Sequence, residues 1–193
     1  MRKEIRISGF GGQGVVLAGY ILGKALSLYD ELEAVMTQAY GPEARGGASS
    51  SNIVFSDRPI AYPFVQHADV LVALSQEAYT RFRPQARPGA LILTDEDLVT
   101  PLDGDHPLTI PATRLAEELG KRMVANVIML GFFTAVTGLV SRQGMQAAIQ
   151  NSVKERLVSL NLQAFTTGYD YSVERYGAAS PLVIGAAGEA DSD

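Results

Sequence analysis

The chain has no cysteine and no tryptophan among its 193 residues, and only two histidines, His67 and His106. Without cysteine there is no disulfide, no thiolate zinc site, no cluster of iron and sulfur held by this chain, and no cysteine nucleophile. Two histidines far apart in sequence would leave any metal site dependent on carboxylates. Basic clusters are missing too. The 16 Lys and Arg are outnumbered by 21 Asp and Glu, for a net charge of −5. Phosphates are neutralised by clustered cations, so neither a nucleic acid nor an anionic membrane surface is expected as a partner. A secretory pattern is also absent: Met1-Arg2-Lys3-Glu4 runs straight into a strand-like segment, and a cytoplasmic location is expected.

What is present suits a globular domain. Hydrophobic residues make up 47% and charged residues 19%, enough apolar surface for a sizeable core. The length fits one domain, expected over 1–177, followed by a flexible acidic tail, 178–193, that ends in Asp191, Ser192 and Asp193. From Met123 to Val140 no residue is charged, about the length of a membrane span. Asn126, Gly131, Thr134, Thr137 and Gly138 interrupt the run and no second such stretch exists, so a buried helix is expected and no membrane partner.

Strands are expected at Glu4–Ser8, Ala34–Gln38, Ser49–Ser56, Asp69–Leu74, Ala90–Thr94 and Leu108–Ile110. Helices are expected at Val15–Leu28, Gln76–Phe82, Thr113–Leu119, Met123–Val140, Arg142–Gln150 and Val153–Tyr176. Strands alternating with helices in short periods imply an α/β fold. The expectation is a three-layer, Rossmann-like domain with a mostly parallel sheet and helices on both faces. Ser49–Ser56 is mixed in character, which leaves room for an antiparallel strand.

Two segments carry candidate chemistry. Gly9-Phe10-Gly11-Gly12-Gln13-Gly14 matches G-x-G-x-x-G between a strand and a helix, a loop that bares backbone N–H groups at a positive helix end. A dinucleotide site also wants an acid at the end of the second strand, but that strand ends in Gln38-Ala39-Tyr40. A stand-alone dinucleotide-binding oxidoreductase is therefore the second reading. A third is an interaction domain whose glycines only allow a tight turn and close packing. The other segment is Tyr40-Gly41-Pro42-Glu43-Ala44-Arg45-Gly46-Gly47, followed by Ser49-Ser50-Ser51. Arg45 offers a planar fork of donors for a carboxylate or phosphate; alternatively it pairs with Glu43 and shapes its own loop. Loops leaving the carboxyl ends of neighbouring parallel strands share one sheet edge, so the two segments are expected close together.

Taken together, GFGGQGVVLAGYILGKA, MTQAYGPEARGGASSSNIVFSD and the later PIAYP (Pro59–Pro63) resemble the gamma subunit of 2-oxoacid:ferredoxin oxidoreductases, over about Arg6 to Val140. The form PEARGG with PIAYP is most similar to the 2-oxoglutarate and 2-ketoisovalerate members. The resemblance implies a multisubunit enzyme that decarboxylates a 2-oxoacid with coenzyme A to acyl-CoA, carbon dioxide and reduced ferredoxin. It implies thiamine diphosphate, Mg2+ and [4Fe-4S] clusters on other subunits, none of them firmly held by this chain. Its implied partners are alpha and beta subunits, a ferredoxin-like delta subunit, and ferredoxin as electron acceptor. No catalytic residue carries over. The candidate binding set is Gly9, Gly11, Gly12, Gln13, Gly14, Tyr40, Arg45, Gly46, Gly47 and Ser49. Within it, the amides of Gly11–Gly14 and the guanidinium of Arg45 would receive a phosphate of coenzyme A. Gln13 and Ser49 would add neutral hydrogen bonds, and Tyr40 would stack on an adenine or close the pocket.

Finally, Gln13–Leu28 contains one charge, Lys24, and Met123–Val140 contains none. A helix apolar all round must be covered on both sides. Covering both within 193 residues is difficult, so part of at least one is expected at a subunit interface.

Overall fold

A strand sends successive side chains to opposite faces, and the first strand, β1 (Arg2–Phe10), fills both. Ile5 and Ile7 enter the main core, while Glu4, Arg6 and Ser8 are buried against the other face of the sheet. The computed structural model describes residues 1–39 and 47–177. Tyr40, Arg45 and Gly46 of the candidate set, and the expected tail, lie outside the described residues.

After β1 come α1 (Val15–Lys24), which continues as a π-helical turn over Ala25–Tyr29, then β2 (Glu33–Ala39), β3 (Ala48–Ser56), β4 (Ala68–Ala73) and α2 (Gln76–Phe82). The chain proceeds through β5 (Ala86–Asp95), β6 (Leu108–Ile110), α3 (Ala112–Glu118), α4 (Ala125–Thr137), α5 (Arg142–Gln150) and α6 (Glu155–Tyr176). Caps account for several boundaries. The Ser75 side chain accepts from the Ala78 amide to start α2, Ser141 does the same for Gly144 in α5, and Gly138 ends α4 in the left-handed conformation.

The six strands form one sheet in the order β2-β3-β1-β4-β5-β6. β1, β4, β5 and β6 pair in parallel, and β3 runs antiparallel to both β1 and β2. Five strands therefore share one direction, and the mixed character of Ser49–Ser56 shows as the one reversed strand.

The layers are unequal. One face carries α1 and α3–α6, with a core that runs from Ile5, Ile7 and Ile53 through Val70 and Val72 to Phe132, Phe133 and Phe165. The other carries α2, whose Ala78, Tyr79 and Phe82 pack on Leu71, Ala73 and Ile92. α4 lies between the sheet and α6. A Cβ on Gly131 would run into the carbonyl oxygen of Phe165, and one on Gly168 into that of Ile128, so the two helices touch backbone to backbone. The expected uncharged helix is thus covered by the chain's own last helix, and among the described residues no helix is long and apolar enough to cross a membrane. α1 is covered on one side only: Leu17 and Tyr20, with Leu28 just beyond, are exposed.

Candidate functional site

The carboxyl ends of β1 and β4 lie side by side, joined where the Leu74 amide donates to the carbonyl of Ser8 at 2.8 Å. From there the chain leaves β1 toward β2 on one side and β4 toward β5 on the other. A sheet opens a crevice at such a reversal of strand order.

The glycine loop sits at that crevice. Gln13 straps its floor: the side-chain oxygen accepts from the Phe10 amide at 2.7 Å and the side-chain nitrogen donates to the Leu74 carbonyl at 2.8 Å. Gly14 begins α1 in the left-handed conformation, with φ of 72° and no side-chain cap. A Cβ there would also strike Asn126, whose side-chain amide donates to the Gly14 carbonyl at 3.1 Å. A Cβ on Gly9 would crowd Gln13, Leu74 and Val15. Gly9 and Gly14 are therefore explained by packing and turn geometry. Gly12 adopts a left-handed conformation, with φ of 94°, which favours glycine although a Cβ there would meet nothing within 4 Å. Gly11 has neither crowding nor a positive φ, and it stands with Gly12 at the open side.

The described residues that flank the second segment end at the same edge of the sheet. Gly9 is opposite Ser49 and Phe10 opposite Ala48 in the β1–β3 ladder, while Ala39 is opposite Ser50 in β2–β3. Gly47, which precedes Ala48 directly, thus lies beside the glycine loop, whereas Ala39 is one strand further out because β3 separates β2 from β1. Ser49 is turned to structural use, since its buried hydroxyl donates to the Gly9 carbonyl at 3.2 Å.

On the opposite side of the loop is a cleft of about 270 Å³. Gly12, Gln13 and Leu74 line one wall, and Thr113, Arg122, Met123 and Asn126 the other. Thr113 is held by Asp95, which is fully buried at the end of β5 and accepts from the Thr113 hydroxyl at 2.7 Å, the Thr113 amide at 2.9 Å and the Asp97 amide at 3.0 Å. Burial pushes the Asp95 carboxyl above the usual carboxylate range, against the pull of these three donors. Arg122 reaches Glu117 only at 3.8 Å and is largely exposed, and Met123 beside it is 69% exposed. One wall of the cleft thus combines a loosely paired, exposed cation with an apolar surface, and the other presents the bare backbone at Gly12. The arrangement suits a ligand with an anionic end and an apolar or aromatic body.

Sequence reasoning placed the glycine loop but missed Thr113, Arg122 and Asn126. Two signals were available. Arg122 stands just before α4, where a cation opposes the helix dipole and so asks for another reason. Asn126 is a polar residue inside an uncharged run, which demands a buried hydrogen-bond partner.

Residues 4–171 match the family model described as "Pyruvate ferredoxin/flavodoxin oxidoreductase". The chain is 51% identical over 179 residues to the 2-oxoglutarate synthase subunit KorC of Methanocaldococcus jannaschii, covering 90% of this chain and 96% of that one. Among solved structures, the gamma subunit of a keto/oxoacid ferredoxin oxidoreductase from Geobacter sulfurreducens superposes with a TM-score of 0.81 at 40% identity, covering 90% of this chain and 98% of that one. The 2-oxoglutarate:ferredoxin oxidoreductase of Magnetococcus marinus, solved with 2-oxoglutarate, coenzyme A and succinyl-CoA bound, shares the fold with a TM-score of 0.80 at 22% identity, over 93% of this chain and 32% of that one.

Proposed function

The chain belongs to the pyruvate ferredoxin/flavodoxin oxidoreductase family, and from that premise we propose that it is the gamma subunit of a 2-oxoacid:ferredoxin oxidoreductase acting on 2-oxoglutarate. The observation that carries this reading is the match to a 2-oxoglutarate synthase subunit at 51% identity over 90% of this chain. The complex converts the 2-oxoacid and coenzyme A to acyl-CoA and carbon dioxide and passes two electrons to ferredoxin. Alpha, beta and ferredoxin-like delta subunits complete it, in the cytoplasm.

The residues of this chain fit such a division of labour. A protein without cysteine offers no thiolate for a [4Fe-4S] cluster. Among the described residues no group of three His, Asp or Glu is arranged to hold a metal ion. On this reading thiamine diphosphate, Mg2+ and the clusters belong to the other subunits, where thiamine diphosphate would supply the carbanion chemistry.

The part left to this chain is binding. The bare amides at Gly11 and Gly12, the α1 N-terminus behind them and the guanidinium of Arg45 receive a phosphate of coenzyme A at the carboxyl edge of the sheet. The stand-alone dinucleotide enzyme has little support: β2 ends in Gln38 and Ala39, without the acid that would hold a ribose.

The test is to capture the complex from native cells through a tag on this chain and assay ferredoxin reduction on a panel of 2-oxoacids. Subunits with thiamine diphosphate and clusters should copurify, 2-oxoglutarate should be preferred, and the pure chain alone should be colourless and inactive. Dye or ferredoxin reduction by the pure chain would sink the assignment. In the same complex Arg45→Ala should weaken coenzyme A binding by roughly 1.5–3 kcal/mol with subunit composition unchanged. If the complex falls apart instead, Arg45 is an interface residue.

A further inference from the structure

At the edge of the sheet opposite the glycine loop, the irregular segment 57–67 joins the end of β3 to the start of β4. It holds Tyr62 and Phe64 out in solvent, 48% and 53% exposed, with their rings edge to face at 5.5 Å. Exposed aromatics on a mobile loop would need no comment, but this loop is tied down from below. Glu4, buried in β1, accepts from the amides of Gln66 at 2.7 Å and His67 at 3.0 Å and is paired with Arg2. Arg2 in turn donates to the Tyr62 carbonyl at 3.2 Å, and Arg6 to that of Val65 at 3.4 Å. Burial pushes the Glu4 carboxyl upward, but Arg2 and the two amides outweigh it and hold the group below its usual range, so the anchor is ionised at neutral pH. Buried ionic groups thus fix in place an apolar surface that water disfavours.

The rim is cationic although the chain as a whole is acidic. Arg2, Arg58, Arg81 and Arg87 are exposed around the loop, at the starts of β1 and β5, the end of β3 and the end of α2. Arg58 and Arg81 have no ion pair among the described residues, and Arg81 and Arg6 both lie over the ring of Phe82. The neighbouring carboxylates are spent. Glu4 and Asp69 are buried, Asp69 holding Arg87 at 2.9 Å, and Asp57 binds the N-terminal ammonium.

We propose that this edge, Ile60–Phe64 ringed by Arg2, Arg58, Arg81 and Arg87, docks an acidic surface of another subunit of the complex, with apolar side chains over the two rings and carboxylates on the arginines. The proposal rests on the reading of the chain as one subunit of an assembly. Aromatic and arginine side chains carry most of the energy of protein interfaces, and a pinned loop loses little entropy on docking. The charge pattern selects the partner: an acidic face is drawn to this edge and repelled by the rest of an acidic chain.

Hydroxyl-radical footprinting of the purified chain and of the captured complex tests it without any substitution. Tyr62 and Phe64 should be oxidised readily in the free chain and several-fold more slowly in the complex, where the protected partner segment should be rich in Asp and Glu. Arg58→Glu, and separately Tyr62→Ser with Phe64→Ser, should weaken association at least about tenfold, the Arg58 effect shrinking as salt rises. Unchanged reactivity of both rings in a complex that still reduces ferredoxin overturns the docking surface and leaves the functional assignment standing. Failure of any thiamine or cluster subunit to copurify overturns both. Protection already present in the free chain and lost on deleting 178–193 would give the surface to the chain's own acidic end. Protection that grows with the concentration of the free chain would give it to a second copy. Either result overturns the proposal.

Discussion

α1 and α4 look alike in sequence, the one with a single lysine and the other with no charge at all, yet the fold treats them oppositely. Every residue of α4 but Ala125 is buried, between the sheet beneath and α6 above. α1 buries Val15, Ala18, Gly19, Ile21 and Leu22 against β1, β2 and β3 and leaves Leu17 and Tyr20 in solvent. Charge depletion therefore says that a helix is tolerated in a dry environment, and does not say how many sides are covered. The covering element comes from elsewhere in the chain, in this case a 22-residue helix whose Ala164, Phe165 and Gly168 supply the contact face.

Single substitutions can sharpen this contrast. The largest effect is expected from Gly168→Ala in α6, since the new methyl would lie inside the Ile128 carbonyl and backbone cannot yield as a side chain tip can. Chemical denaturation should show a loss of about 3 kcal/mol or more. A change under about 1 kcal/mol would mean that α4 and α6 are not in backbone contact. Next comes Asn126→Ala, which cuts the tie from α4 to the start of α1 and leaves the Gly14 carbonyl without that donor; a loss of about 1–2 kcal/mol in the same assay is expected. The third reverses the sign. Gly23→Ala in α1 places its methyl in open space, so helix propensity alone decides, and a gain of about 0.4–1 kcal/mol is expected. A destabilised variant would show that α1 has a neighbour on that side within the isolated chain. The smallest is Leu28→Gln just beyond α1, within about 0.5 kcal/mol by thermal unfolding, because that side chain is 64% exposed. A large loss there would erase the distinction between the two helices.

Much of the fold was legible because its elements are local. The starts of α2 and α5 follow from serine caps and the end of β3 from its Ile53-Val54-Phe55 run before the Asp57-Arg58-Pro59 turn, each a matter of nearest neighbours in sequence. The glycine loop was legible for the same reason, as punctuation between a strand and a helix. Its division into crowded and open positions was not. Gly9 and Gly14 are crowded by Leu74 and Asn126, residues 65 and 112 positions further along. Gln13 and Ser49 read as free donors in sequence, but pairing at the ends of β1, β3 and β4 turns both to internal carbonyls. The cleft wall of Thr113, Arg122 and Asn126 was out of sight because α3 and α4 must first be packed at the carboxyl edge of the sheet, beside the ends of β4 and β5 and the start of α1.

The order of strands and helices, the absence of thiolate chemistry and the two loops that mark the family were determined by sequence alone, since each depends on residue type and short-range spacing. Tertiary structure decided the reversal of β3, the burial of α4 by α6 and the placing of the glycine loop and the pinned aromatics at opposite edges of one sheet. These depend on which distant segments can approach without overlap. That approach is set by small residues such as Gly131 and Gly168, whose meaning appears only when the partner backbone is in place.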